Sequence, residues 1–256
     1  MKKLFNYKQF NESSVAPPYN YKFEYNDMID YTLLDNNASD QEITDLCEKA
    51  VRFGTKSVCV MPKHVKLSAD LLKEHKVLVC TVVDFPGGHK DEEYKSMVCK
   101  KVISQGADEV DMVLNYNNLI EDHDTNGLID EVRSLVTICH GKLNKNNEDV
   151  VLKVIVESGL LTEDQTELAT EICLAGGADF IKTSTGKVGV GAELDKVRIM
   201  KSVISNNKSD MQIKVSGGVR TLQQIEQYGE IGATRFGMGY GSVDALNGLR
   251  SEKEGY

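Results

Sequence analysis

Two lysines that end or interrupt apolar runs carry the clearest chemical potential of this 256-residue chain: Lys182 in Phe180-Ile181-Lys182 and Lys214 in Gln212-Ile213-Lys214-Val215. A lysine ammonium does not enter a buried strand end without a partner or a task. Lysine is also the side chain that condenses with carbonyl compounds to imines when its amine is free. Like-charge repulsion between neighbouring lysines, added to desolvation, lowers a lysine pKa toward about 7–8 in tuned enzymes. Asp111, two residues after Glu109 in another apolar run, is a candidate proton relay or counter-ion. Asp30, Lys153 and Glu157 are further polar residues of such runs. The competing reading is structural: Lys182 and Lys214 pair with Asp111, Asp30 or Glu157 in a polar layer, or snorkel to solvent.

Three small hydroxyl residues and a glycine follow Lys182, as Thr183-Ser184-Thr185-Gly186-Lys187. Two more glycine-rich stretches, Ser216-Gly217-Gly218-Val219-Arg220 and Gly237-Met238-Gly239-Tyr240-Gly241-Ser242, follow later runs. Glycine lets backbone N–H groups approach an anion closely. Each segment alone also suits a tight turn; together, after a seventh and an eighth strand, they match the usual phosphate position of a parallel barrel.

The elements that must position these groups recur with a regular period. Strand-length apolar runs occur at 28–30, 57–61, 77–83, 109–114, 150–156, 180–182, 212–215 and 234–237. Ser39-Asp40-Gln41-Glu42, Thr162-Glu163-Asp164-Gln165 and Thr221-Leu222-Gln223-Gln224 fit capping boxes that open helices between them. Eight strand-helix units with near-continuous apolar strands predict an α/β chain with a single (β/α)8 TIM barrel; an open doubly wound sheet is the rival. The expected organisation is an N-terminal extension over 1–26, part helical, a catalytic barrel over 27–250 and a tail over 251–256.

A net charge of −9 argues against nucleic acid as a partner, since phosphate neutralisation needs a basic surface. The six cysteines form no C-x-x-C pair and lie mostly in apolar runs, which predicts reduced core residues of a cytoplasmic protein. The five histidines share no metal-ligand spacing, and neither a signal peptide nor a membrane span is expected. The barrel helices could supply a homodimer face, but no sequence feature identifies one.

The chain resembles the 2-deoxyribose-5-phosphate aldolases, class I aldolases that form a Schiff base. The matching stretches are 29–34, 58–62, 106–111, 152–157, 179–187 and 214–220, in family order across nearly the whole barrel. The resemblance implies reversible cleavage of 2-deoxy-D-ribose 5-phosphate to acetaldehyde and D-glyceraldehyde 3-phosphate, in deoxyribonucleoside catabolism. It implies that Lys182 forms the imine, Lys214 perturbs its pKa, and Asp111 relays protons. Asp30 and Lys153 would line the substrate pocket with Thr183 and Thr185. Gly186, Lys187, Gly217, Gly218, Val219, Arg220, Gly237 and Gly239 would surround the phosphate. No cofactor and no metal is implied, because the iminium serves as electron sink.

Three positions depart from the family pattern. Met238-Gly239-Tyr240-Gly241 stands where the family usually carries a serine pair, Asp84 precedes Phe85-Pro86, and Asp35 replaces a lysine, expected to be a surface change. In some relatives a C-terminal tyrosine reaches the pocket, and this chain ends in Gly255-Tyr256. The altered loop keeps open an imine-forming enzyme for another aldehyde or phosphosugar. A phosphosugar-binding barrel without catalysis is the remaining alternative, though binding alone needs no paired lysines.

Overall fold

A computed structural model describes residues 23–122 and 124–249. The extension before residue 23 and the tail with Tyr256 lie outside the described residues. Strands and helices alternate: β1 (Ile29–Leu33), α1 (Asp40–Phe53), β2 (Ser57–Val60), α2 (Val65–Leu72), β3 (Leu78–Val83), α3 (Glu92–Ser104), β4 (Glu109–Val113) and α4 (Thr125–His140) form the first half. The second half is β5 (Val151–Ile155), α5 (Glu163–Gly176), β6 (Phe180–Lys182), α6 (Leu194–Asn206), β7 (Gln212–Ser216), α7 (Leu222–Ile231), β8 (Arg235–Gly239) and α8 (Tyr240–Leu246). All strands are parallel and the sheet closes through β1 and β8, with Asp30 opposite Gly237. The closed barrel therefore holds and the open sheet does not.

Local chemistry sets the helix starts. Ser39, Thr162 and Thr221 each accept from the backbone N–H three residues on, while Glu42, Gln165 and Gln224 return the bond to the cap. Such a cap is worth about 1 kcal/mol. In α1, Ile43, Leu46, Cys47 and Ala50 recur on one face and are buried against the sheet. The first strand starts one residue later than its apolar run. Met28 closes a single 3-10 turn over Asn26–Met28, in which the Asn26 side chain donates to the Phe53 carbonyl.

The two-residue period of a strand divides each run between two environments. Val58, Val60, Val79, Val110, Met112, Leu152, Val154, Ile181, Ile213, Val215 and Phe236 belong to the large core between barrel and helices. Fully burying each such side chain stabilises the fold by about 1.5–3 kcal/mol. The alternate residues point to the barrel axis, and there the chain places most of its buried charge.

Candidate active site

Four adjacent strands bring the candidate residues into one cluster. Asp111 on β4 stands in register with Lys153 on β5, and Lys182 on β6 with Lys214 on β7. Lys182 Nζ donates to Asp111 Oδ2 at 2.7 Å, and Lys214 Nζ donates to the same oxygen at 2.6 Å. Lys153 Nζ reaches the other carboxylate oxygen at 2.9 Å. Asp111 thus binds three ammonium groups while fully buried. Lys182 is 3% exposed, and Lys153 and Lys214 are sealed at 0%.

A second layer lies behind the first. Lys214 also donates to Asp30, and Lys153 donates to Glu109 Oε2 at 2.7 Å. Arg235, the first residue of β8, bridges Asp30 Oδ1 and Glu109 Oε2 through Nη1, each at 2.7 Å. Burial by itself would raise the Asp111 carboxyl, yet Lys153, Lys182 and Lys214 hold it well below the usual carboxylate range. Burial likewise opposes the charges of Asp30 and Glu109, and the surrounding cations override it. Desolvation would drive Lys214 toward the free amine, but Asp111 and Asp30 keep it above the ordinary lysine value. The same two carboxylates thus favour the charged form of Lys214 beside Lys182. Of the polar layer set against the imine reading, the pairs with Asp111 and Asp30 are present, and Asp111 holds Lys182 in place.

Neither Arg235 nor Glu109 was among the expected site residues. Their signal was parity: on β8 and β4 both share the inward set with Gly237 and Asp111. Cys80 was read only as core, but its thiol donates to Asp111 Oδ1 at 3.2 Å. Burial, a bond with Cys59 and the Asp111 charge push that thiol up. The groups Cys59, Cys80, Asp111 and Asp30, Cys80, Glu109 have the separations of metal ligands. A lysine already serves these donors, since Lys153 Nζ lies 3.4 Å from Cys80 Sγ as well as near Glu109 and Asp111.

The loop after β6 is fixed from β5. Glu157, at a positive φ of 53°, accepts from the Thr185 N–H at 3.1 Å and the Thr185 hydroxyl at 2.7 Å. Burial raises the Glu157 carboxyl against these bonds. Thr183 bonds across to β7 by donating to the Ser216 carbonyl at 2.9 Å. Gly186, Lys187, Gly218 and Arg220 are exposed at the carboxyl end, whereas Gly217, Val219 and Gly239 are buried. Gly237 has a packing role: a Cβ there would lie 3.2 Å from Lys214 Cε and 2.9 Å from Ser216 Cβ.

A built Cβ on Gly191 would stand 2.1 Å from the Gly217 carbonyl oxygen, so this loop crossing depends on glycine. Gly191→Ala is expected to destabilise the protein by about 1–3 kcal/mol through overpacking. Urea unfolding measures this, and an unchanged midpoint would contradict the close approach.

A cavity of about 620 Å³ is lined by Thr32, Leu33, Met61, Phe85, Lys187 and Tyr240 among others, and Lys182, Lys214 and Asp111 are not among its lining residues. Asp30, Lys153, Thr183 and Thr185 do not line it; Asp30 and Lys153 lie in the charged interior. Met238 is buried behind β8, so of the two larger residues in the altered loop only Tyr240 reaches the cavity. Asp84 turns inward, accepting from the Lys90 N–H at 2.7 Å and standing 3.7 Å from the sealed Lys95 ammonium. Asp35 is exposed, as expected, though it borders the cavity rim.

Among the described residues no helix is long and apolar enough to cross a membrane. The profile of the DeoC/LacD family of aldolases matches residues 27–243. The deoxyribose-phosphate aldolase of Mycoplasmoides pirum is 43% identical over 213 residues, spanning 83% of this chain and 92% of that protein. The deoxyribose-phosphate aldolase of Staphylococcus carnosus is 38% identical over 231 residues, 90% of this chain and 99% of that protein. A solved structure from Coccidioides immitis superposes with a TM-score of 0.81 at 30% identity, over 91% of this chain and 87% of that one. With a family match across the barrel and identities of this size over nearly the whole of its relatives, the chain belongs to the DeoC/LacD family of aldolases.

Proposed function

We propose that the protein cleaves 2-deoxy-D-ribose 5-phosphate reversibly to acetaldehyde and D-glyceraldehyde 3-phosphate through an imine on Lys182. The observation that carries this reading is the Lys182 amine, 2.7 Å from an Asp111 oxygen that it shares with Lys214, whose Nζ lies 2.6 Å from the same oxygen. A structural ion pair needs no second cation on the same oxygen, whereas an amine that must release a proton gains from one.

In the cleavage direction the Lys182 amine adds to the C1 aldehyde, and loss of water gives a protonated imine. The C3 hydroxyl passes its proton toward Asp111 as the C2–C3 bond breaks. Its electrons flow into the iminium, leaving an enamine and releasing D-glyceraldehyde 3-phosphate. Protonation of the enamine at C2 restores the iminium, and water then frees acetaldehyde and the amine. Lys214 stabilises the Asp111 carboxylate before it takes up that proton, while Glu157 and Thr185 hold the loop that follows Lys182. We assign the phosphate to the carboxyl-end loops carrying Gly186, Lys187, Gly217, Gly218, Val219, Arg220, Gly237 and Gly239. The six buried free thiols fit a reducing, cytoplasmic setting.

Incubation with acetaldehyde and borohydride is expected to leave one ethyl group on the peptide that bears Lys182. No adduct on folded protein would overturn the reading. Removing the phosphate from the substrate is expected to lower kcat/KM about 100-fold, since remote binding energy supports the reacting centre. Equal use of 2-deoxyribose and its 5-phosphate would refute the phosphate assignment.

A further inference from the structure

We propose that Arg235 and Glu109, which lie behind the reacting groups, are positioning residues that set the pH at which Lys182 becomes able to form its imine. The inference rests on the imine reading above and extends it to residues that touch neither substrate nor Lys182. Its basis is a mismatch of charge in the barrel interior. Three carboxylates, Asp30, Glu109 and Asp111, face four cations, Lys153, Lys182, Lys214 and Arg235.

The mismatch falls on Lys182. Arg235 is held by Asp30 and Glu109, Lys153 by Glu109 and Asp111, and Lys214 by Asp30 and Asp111. Among the described residues Lys182 forms an ion pair with Asp111 alone, through the oxygen it shares with Lys214. It is the surplus cation, and it is more exposed than the other two lysines. Glu157 also faces it from beyond β5, where its carboxylate oxygens are taken up by the Thr185 N–H and hydroxyl. On β2 and β3 the neighbours are the thiols Cys59 and Cys80, whose Sγ atoms approach Asp111.

Every charge in this stack is linked to Lys182 through shared carboxylates, so a change at its far end must be felt at the amine. In a medium of effective dielectric near 20, a unit charge about 12 Å away shifts such an equilibrium by about one pH unit, and a nearer one by more. Removing the Glu109 charge leaves more surplus positive charge and makes proton loss easier. Removing the Arg235 charge cancels the surplus and makes proton loss harder.

The test is the pH dependence of borohydride trapping of Lys182 with acetaldehyde, measured in the wild type, Glu109→Gln, Arg235→Met and the double variant. Glu109→Gln is expected to move the acid limb down by about one pH unit, and Arg235→Met to move it up by about as much. The double variant restores the charge balance and is expected to return the limb to its wild-type position. A residue with only a packing role would lower the trapped yield without moving the limb in opposite directions. Limbs that stay in place, or move together, overturn the proposal. If Arg235→Met does not fold, Glu109→Gln and the double variant still decide, because removing both partners of a buried ion pair costs far less than stranding one of them. Failure to trap any adduct in the wild type would instead overturn the aldolase reading itself.

Discussion

Replacing Lys182 with methionine is expected to abolish imine trapping and reduce turnover by about 10⁴-fold or more, the scale on which loss of a covalent nucleophile is felt. The variant should remain folded. Asp111 keeps Lys153 at 2.9 Å and Lys214 at 2.6 Å, so no carboxylate is left unpaired, and methionine fills most of the vacated volume. Thermal unfolding alongside intact-mass trapping separates loss of chemistry from loss of structure. Turnover within about tenfold of wild type, or an adduct that appears on Lys214, would show that the amine had been assigned wrongly.

Asp111 should respond differently, because it joins chemistry to stability. Asp111→Leu removes the acceptor shared by three buried ammonium groups, and a destabilisation of about 3–5 kcal/mol is expected by urea unfolding. Asp111→Asn preserves the shape and some hydrogen bonding. It is expected to retain more stability and still lose about 10²- to 10⁴-fold in turnover, the range associated with a missing proton-transfer group. An asparagine variant as active as the wild type would remove Asp111 from the reaction and leave it as a counter-ion only.

The barrel was legible because its signals are local. Eight apolar runs became eight strands, and the hydroxyl-to-acid or hydroxyl-to-amide spacings at Ser39, Thr162 and Thr221 became capping boxes. Lys182, Lys214 and Asp111 stood out because charge in an apolar run is costly. The partners were harder to read. Arg235 opens its strand beside polar Thr234 and looks like a surface residue until closure of β8 onto β1 carries it over Asp30. Cys80 reads as core from the apolar run around it, but a thiol's neighbours depend on the register between β3 and β4. Gly237 reads as a ligand-binding glycine, and sequence does not reveal that Lys214 Cε needs its space as well. Contacts between strands distant in sequence decide all three cases, and no local pattern encodes them.

The interior charges are divided by sign along the chain. Asp30, Glu109 and Asp111 come from β1 and β4, whereas Lys153, Lys182, Lys214 and Arg235 come from β5, β6, β7 and β8. During synthesis the first four strands emerge with acids whose counter-charges have not yet been made, so that half has no complete interior to collapse around. Two copies of either half would bring like charges together and repel, while one copy of each half is complementary. The network around Lys182 thus draws its paired acids from one half of the chain and its cations from the other, so neither half can complete it with a copy of itself.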